Sequence, residues 1–367
     1  MKINLLIGHI YFLLGAIAVA FIINKLVLSF AKNLGIRNKN DIVVRWSNTS
    51  KPSLGGISLY FTFVVAVLFY AALFPEQHIF ENTEFIGLLA ASMLAFAIGL
   101  ADDAYNTRPL LKLFGQTSCG LIIVFSNNGI DVFHQPILDG IITVIWIIAV
   151  MNSLNMLDNM DGITGTVSFF ILLTCFSVSG FIFGSTNSFW SILMIAEMGA
   201  LVGFLIYNIH PSKIFMGDSG SQFIGLFVGF FGIQSLWNLP VAYALPSWSS
   251  FFLVLTVFTP TIADTLTVMI NRRRRGVSVM LGGKDHTTHH LVYKGLTDFK
   301  VWIIFALIGV SSFSYALALV YLLLHGYYIF STLGLIFFLI VFLPLYRTTL
   351  KYHAPEVKKE KGTPSNI

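Results

Sequence analysis

The chain has 367 residues, of which 56% are hydrophobic and only 11% are charged. This composition excludes an ordinary soluble domain and indicates an integral membrane protein. The formal net charge is +5, but the basic residues are spread over many loops. We therefore expect attraction to anionic lipids and phosphate ligands, and no nucleic-acid partner.

Apolar runs of membrane-spanning length follow one another along almost the whole chain. We predict a single all-α polytopic bundle over residues 1–350 and a disordered tail over residues 351–367. Because "AIAVA" near the start lies inside an apolar run that continues further, we interpret that run as a first span and not as a cleaved signal. The bundle is expected to contain about eleven spans, at residues 4–30, 54–74, 84–100, 113–127, 138–154, 163–183, 189–207, 220–236, 249–270, 300–324 and 328–346.

The loops alternate in charge. "PEQHIFENTE", "NNGIDVFHQPILDG" and "WNLPVAYALPSWS" contain no Lys or Arg, whereas the intervening loops carry the basic residues. By the positive-inside rule the basic face is cytoplasmic, which places the N-terminus outside and the C-terminus inside. We expect a multi-pass protein of the cell inner (plasma) membrane.

Acidic residues follow three of the apolar runs on the basic face, in "GLADDAYNTRPLLKLFGQ", "NSLNMLDNMDG" and "NIHPSKIFMGDSGSQ". Carboxylates at the edge of lipid are costly unless they face a polar cavity, another charge or a metal. We therefore expect these loops to converge on one wet site.

The second of these stretches predicts a helix that ends near Asp158, with Gly162 turning the chain. Asn155, Asp158 and Asp161 are then able to reach one ligand, although ordinary helix capping is an alternative. Oxygen ligands without nearby His or Cys favour Mg²⁺, with Mn²⁺ as a substitute, over zinc. In "FMGDSGSQ" we expect backbone amides to approach an anion at the start of the next span.

The last large basic loop, "NRRRRGVSVMLGGKDHTTHHLVYKG", brings arginines, a lysine and three histidines to the same face. We interpret most of the four arginines as a topology anchor and the histidines as donors to phosphate oxygens. A zinc site is a weaker alternative. Asp264 lies close enough to this face to belong to the site, whereas Glu197 is expected to be a buried packing residue.

Four motifs in this order, "DDAYNTRPLLKLFGQ", "NSLNMLDNMDG", "NIHPSKIFMGDSGSQ" and "GKDHTTHHL", resemble those of the polyprenyl-phosphate N-acetylhexosamine-1-phosphate transferases. That superfamily is glycosyltransferase family 4, and the WecA/TagO-like branch is the nearer one. The resemblance implies an active site on the cytoplasmic face. It also implies transfer of a HexNAc 1-phosphate, with GlcNAc as the expected sugar, from a UDP-sugar to undecaprenyl phosphate. UMP is released, in the first membrane step of a cell-envelope polysaccharide such as the O-antigen of lipopolysaccharide.

The resemblance also implies roles for single residues. Asp218 matches the magnesium ligand, with Asn155 as a second ligand. Phe215 is expected to be the platform for uracil, and Asn208 and Asp161 to line the nucleoside pocket. Further substrate contacts are assigned to Asn152, Lys112, Arg275 and Lys284. The predicted catalytic residues form three groups. Asp102 and Asp103 are the acidic pair for the lipid phosphate or the metal, and Asp158 lies near the diphosphate. The histidine motif comprises His286, His289 and His290.

Two alternatives remain open from the sequence. A MraY-type phospho-MurNAc-pentapeptide transferase is the nearer one, but that group has three consecutive histidines where this chain has "DHTTHHL". A secondary transporter would place acids near the bilayer midplane and use paired broken helices. The sugar, the glycan pathway and the oligomeric state stay undecided, with a homodimer as one candidate.

Overall fold

A computed structural model describes residues 5–33, 51–183, 189–278 and 283–354, and this part of the chain is helical without any strand. The first seven helices are α1 (Leu5–Asn33), α2 (Gly55–Leu73), α3 (Thr83–Tyr105), α4 (Pro109–Phe125), α5 (Pro136–Leu157), α6 (Ile163–Phe183) and α7 (Phe189–Asn208). The remaining ones are α8 (Gly217–Gly232), α9 (Leu239–Tyr243), α10 (Trp248–Val257), α11 (Thr259–Arg274), α12 (Thr287–Tyr293), α13 (Asp298–Leu324) and α14 (Leu333–Lys351).

Every predicted apolar run overlaps a helix. Within the described ranges, nine helical segments are long and apolar enough to cross a membrane, and α10 with α11 makes a tenth if the pair is one span. Helix α4 is apolar but has only 17 residues. The protein is therefore a multi-pass membrane protein, as predicted. The exact number of crossings, expected to be about eleven, and the orientation stay predictions.

The predicted single span over 249–270 is wrong in detail. Helices α10 and α11 meet at an angle of 84° after Phe258. Pro260 stands at the start of α11, where its missing N–H is tolerated, but a helix continuing through it would lose a backbone hydrogen bond. The break gives α11 a direction of its own, and α11 carries both Asp264 and the first three arginines of the basic run.

Helix α8 is the buried centre of the bundle. All of its residues from Ser219 to Gly232 are buried, which explains why its sequence is apolar around most of its circumference. Glycines let the neighbouring helices approach it closely. A Cβ on Gly56 of α2 would lie 2.1 Å from the backbone nitrogen of Gly220, and one on Gly99 of α3 would lie 2.2 Å from the carbonyl oxygen of Asp218.

Two helix boundaries differ from prediction and both move acids into helices. Helix α3 continues to Tyr105, so Asp102 and Asp103 lie in its last turns and not in a loop. Helix α8 begins at Gly217, so Asp218 lies in its first turn. The predicted end of α5 is confirmed, because the helix stops at Leu157 and Gly162 turns the chain with φ +76°.

Some expectations fall elsewhere. The basic residues between 34 and 50, and the tail beyond residue 354, lie outside the described residues. Cys119 and Cys175 are buried free thiols, as expected of packing residues. Glu197 is fully buried in α7, and neither of its carboxylate oxygens has a hydrogen-bond partner among the described residues. That placement agrees with a packing position and not with a place among the motif residues.

Candidate active site

An acid cluster forms where the last turn of α3 meets the starts of α4 and α8; we define it as Asp102, Asp103, Lys112, Asn155 and Asp218. The Lys112 ammonium lies 2.7 Å from Asp102 Oδ2 and 2.9 Å from Asp218 Oδ2. Asn155 Nδ2 donates to the other oxygen of Asp218, at 2.6 Å. Residues from four helices therefore converge, as predicted from the motifs.

The two adjacent aspartates have different partners. Asp103 accepts hydrogen bonds from the backbone N–H groups of Asp218 and Ser219, each at 2.9 Å. Asp102 accepts from the Thr107 backbone N–H at 2.9 Å and pairs with Lys112. The two neighbouring carboxylates therefore hold different parts of the structure.

One expectation about the start of α8 needs correction. We predicted that its backbone amides would approach a ligand anion, but the amides of Asp218 and Ser219 already bind an anion of the protein itself, Asp103. A helix N-terminus attracts negative charge whether the charge belongs to a ligand or to a side chain. The Asp103 carboxylate was close enough in space to take that place.

Asp158 directly follows α5 and faces the acid cluster. Burial raises the pKa of its carboxyl group to about 8, and the neighbouring charges of Asp218 and Asp103 act in the same direction. A carboxyl group with such a pKa exchanges its proton near neutral pH. Asp158 therefore lies near Asp103 and Asp218, and its catalytic role stays a prediction.

Asp161 and Asn208 hold the loop before α8. Asp161 accepts from the Ser212 backbone and hydroxyl at 3.0 and 2.7 Å and lies 3.1 Å from His210 Nδ1. Asn208 accepts from the Gly162 N–H at 2.9 Å and donates to the Ile214 carbonyl at 2.8 Å. We had expected Asp161 to reach the same ligand as Asn155. Instead, its carboxylate is turned toward this loop.

Phe215 belongs to the same loop and is half-buried. The ammonium of Lys51 lies 5.1 Å from the centre of its ring, and also 3.7 Å from Asp161 Oδ2. The segment around Lys51 is tied down by backbone hydrogen bonds from Phe215 to Pro52 and from Gly55 to Phe215, each 2.9 Å. Lys51 is therefore part of this loop structure.

Asn152 lies deeper than Asn155, in a buried amide chain that sequence reasoning missed. Its amide donates to Gln116 Oε1 at 2.9 Å, and Gln116 Nε2 donates to Gln222 Oε1 at 2.9 Å. Gln116 and Gln222 are almost completely buried. A glutamine in each of two apolar runs does indicate a buried hydrogen bond, since a buried amide needs a partner. The sequence does not show which residue that partner is. The structure gives Asn152 a supporting position; its predicted substrate contact is untested.

The histidine motif is anchored on α11. Asp264 is fully buried, and its carboxylate lies 2.9 Å from His286 Nδ1 and accepts from the Thr287 N–H at 2.8 Å. Asp285 is held by Arg272 through two hydrogen bonds of 3.0 and 2.7 Å, and by Arg275. These cations lower the pKa of Asp285 to about 2, although burial acts in the opposite direction with the larger single effect.

The other members of the motif point in different directions. His290 Nδ1 contacts the Tyr352 carbonyl oxygen after α14, and Lys284 contributes its carbonyl oxygen to a hydrogen bond from the Tyr293 hydroxyl. Burial lowers the pKa of His290, and burial with the nearby charge of His286 lowers that of His289 to about 3. Both rings are therefore neutral at pH 7, so they donate less strongly to phosphate oxygens than we had expected.

A link joins the histidine motif to the turn after α5. The Thr288 hydroxyl donates to Asn159 Oδ1 at 2.6 Å, and Asn159 lies next to Asp158 in the chain. Sequence reasoning did not select Asn159 or Thr288, because hydroxyl and amide residues of this kind are common in loops and at helix caps.

The acid cluster offers Mg²⁺ a partial set of oxygen ligands. In the described part of the chain no group of three or more His, Cys, Asp or Glu side chains is arranged to hold a metal ion. Mg²⁺ is commonly held by one or two carboxylates, water and substrate phosphates, so a full protein cage is not required. Two carboxylates that already share one cation, Lys112, and an adjacent amide form a donor set of that kind.

Comparison with known proteins supports the family expected from the motifs. The glycosyl transferase family 4 profile matches residues 85–236. A probable undecaprenyl-phosphate N-acetylglucosaminyl 1-phosphate transferase of Bacillus subtilis (strain 168) is 25% identical over 80% of this chain and 79% of its own length. A decaprenyl-phosphate N-acetylglucosaminephosphotransferase of Mycolicibacterium smegmatis is 29% identical, over 72% of this chain and 71% of its own length.

A relative from the MraY group matches a shorter part. The phospho-N-acetylmuramoyl-pentapeptide-transferase of Campylobacter lari is 34% identical, but over 50% of this chain and 60% of its own length. The more extended similarity is thus to the GlcNAc-1-phosphate transferases. Over residues 85–236 the chain is thus similar to glycosyl transferase family 4, and its longer matches are to polyprenyl-phosphate GlcNAc-1-phosphate transferases and not to the MraY group.

Proposed function

We propose that this protein transfers GlcNAc 1-phosphate from UDP-GlcNAc to undecaprenyl phosphate, giving undecaprenyl-diphosphate-GlcNAc and UMP, at the cytoplasmic face of the plasma membrane. The observation that carries the proposal is the acid cluster, in which Asp218 at the start of α8 shares Lys112 with Asp102. The match to the family profile and the names of the relatives support a polyprenyl-phosphate sugar-phosphate transferase.

The reaction is limited by charge. The acceptor phosphate already carries most of its negative charge near pH 7, because its second pKa is about 6. It attacks a diphosphate whose oxygens repel it, so catalysis depends on positioning and on compensating positive charge. Little base strength is required of the protein.

The residues of the acid cluster divide this work. Asp218 and Asn155 would hold Mg²⁺, which neutralises diphosphate oxygens when it is bound. Lys112 lies between two carboxylates and is the cation of the acid cluster that would bind the phosphate of the lipid acceptor. Asp102 faces that lysine and takes any remaining proton, whereas Asp103 keeps the first turn of α8 in place.

The remaining predicted residues surround this centre. Phe215, with Lys51 beside its ring, is proposed as the platform for uracil, and Asp161 and Asn208 hold its loop. Asp158 lies between the acid cluster and that loop, as a residue facing the diphosphate would. The histidine motif binds pyrophosphate oxygens, with His286 as its main contributor.

The test is UMP release by purified protein in detergent, with undecaprenyl phosphate, Mg²⁺ and a panel of UDP-HexNAc donors that includes UDP-MurNAc-pentapeptide. We expect release that requires both lipid and metal and is fastest with UDP-GlcNAc. Preference for the pentapeptide donor would favour the MraY-type alternative. No release with any donor, from protein shown to be folded, would overturn the enzyme proposal and favour a transporter.

A further inference from the structure

A fully buried carboxylate in α11, that of Asp264, contacts the histidine motif. Asp264 Oδ2 lies 2.9 Å from His286 Nδ1, while Oδ1 accepts from the Thr287 N–H at 2.8 Å and from the Thr287 hydroxyl at 2.6 Å. Asp264 has no exposed surface and the His286 residue is 6% exposed. The contact therefore joins two buried groups on separate helices.

The donors around Asp264 determine the state of the histidine. A carboxylate only accepts hydrogen bonds, so the close nitrogen Nδ1 must carry the proton. The other ring nitrogen, Nε2, is left for a ligand, and its direction is set by the hydrogen bond at Nδ1. The negative charge of Asp264 also attracts the protonated imidazole, whose Nε2–H donates to anionic oxygens.

Contacts that do not involve Asp264 also hold the segment around His286. Asp285, directly before His286, receives the buried guanidinium of Arg272, and Thr288 donates to Asn159. The backbone on both sides of the histidine is thus already held without Asp264. The bond from Asp264 to the ring adds something that those contacts do not supply, namely the orientation and tautomer of His286.

We propose that Asp264 is a positioning residue for the phosphoryl transfer: it accepts the Nδ1–H of His286 and thereby orients the ring so that, in the protonated imidazole, Nε2–H donates to a phosphate oxygen of the donor. This inference rests on the proposed function. It separates His286 from His290, whose Nδ1 is occupied by the Tyr352 carbonyl. His286 is then the member of the motif that acts on substrate through a dedicated carboxylate.

The first variant is Asp264→Asn, which has nearly the same shape. Its amide oxygen still accepts from Thr287, but its NH₂ group faces His286 Nδ1 and forces the proton to Nε2. We expect kcat for UMP release to fall by about 10- to 100-fold, with a much smaller change in the KM for the UDP-sugar. Nitrogen-15 spectra of histidine-labelled protein should show one ring changing tautomer, identified as the signal that His286→Asn lacks.

Thr287→Val is the matched control, because it removes a hydrogen bond to the same carboxylate and leaves the ring contact in place. We expect it to lower the melting temperature about as much as Asp264→Asn does while kcat stays near that of the wild type. Equal losses of kcat in the two variants would show that Asp264 is merely structural and would overturn the inference.

A double-mutant cycle closes the test. His286→Asn keeps a donor to Asp264 but loses Nε2, so it should lower kcat at least as much as Asp264→Asn. If Asp264 acts through His286, the double variant should be no slower than His286→Asn alone. Additive losses would overturn the inference. Absence of UMP release from the wild type would instead overturn the proposed function, and the tautomer change would still be measurable.

Discussion

The acid cluster and the histidine motif use the same device with different results. In each, an aspartate from a neighbouring helix binds the first turn of another helix: Asp103 of α3 binds α8, and Asp264 of α11 binds α12. Both oxygens of Asp103 bind backbone amides. One oxygen of Asp264 binds α12 at Thr287, whereas the other reaches the His286 side chain.

An acidic residue in a motif therefore need not touch substrate. Asp103 controls where the backbone of α8 lies and therefore where Asp218 lies. Asp264 controls the state of a side chain. The acid cluster should accordingly depend on charge and close backbone approach, whereas the histidine motif should depend on its buried ion pairs and on one tautomer.

The largest effect is expected from Asp218→Asn. The change removes a negative charge from the residue that pairs with Lys112 and is proposed to hold Mg²⁺. UMP release should fall by about 10³-fold, as expected when a preorganised electrostatic partner is lost. Asp131→Asn is the control, because Asp131 lies in the loop before α5 with its side chain 63% exposed. Substantial activity in Asp218→Asn would show that the metal assignment is wrong.

The second effect concerns the ion pairs of the histidine motif. Arg272 is 4% exposed and binds Asp285 with two hydrogen bonds, whereas the Arg275 side chain is 53% exposed. Arg272→Met should lower the free energy of unfolding by about 3 kcal/mol, because Asp285 loses its buried partner. Arg275→Met should cost at most about 1 kcal/mol.

These two free energies are compared by SDS-induced unfolding in mixed micelles. Equal losses would mean that burial does not distinguish the two arginines and would contradict this prediction.

The third effect tests the close approach of α3 to α8. An alanine at position 99 would place its Cβ 2.2 Å from the Asp218 carbonyl oxygen, where only backbone can yield. Gly99→Ala should cost about 2 kcal/mol of stability by overpacking and should also lower activity, because it moves Asp218. Gly180→Ala is the matched control: nothing lies within 4 Å of its added Cβ. That change should stabilise helix α6 by up to about 1 kcal/mol; a harmless Gly99→Ala would contradict the packing.

The smallest effect is expected from Asp103→Asn. One amide oxygen remains to accept a backbone N–H, but the NH₂ group would face the second one. Stability should fall by about 1 kcal/mol, the usual scale for a helix cap, and the activity loss should be smaller than in Asp218→Asn. Melting temperature and kcat are measured together. Complete loss of activity at an unchanged melting temperature would identify Asp103 as a catalytic group and not as a cap.

Several features followed from the sequence because they depend on local composition. The apolar runs predicted the helices, since a backbone in lipid must satisfy its own hydrogen bonds. The end of α5 at Leu157 and the turn at Gly162 followed from polar residues and a glycine at one point of the chain. The ordered motifs predicted the family and the convergence of Asp102, Asn155 and Asp218.

Other features required the tertiary structure, because they are contacts between residues distant in sequence. No sequence pattern predicts that Asp103 binds amides more than a hundred positions away, or that Asp161 faces Ser212. Likewise, three histidines in one motif look equivalent, yet one faces Asp264 and another faces Tyr352. Local composition predicts which groups reach the basic end of the bundle. Packing determines which of them bind protein and which stay available to substrate, since most buried polar groups pair with a partner that lies within reach in space.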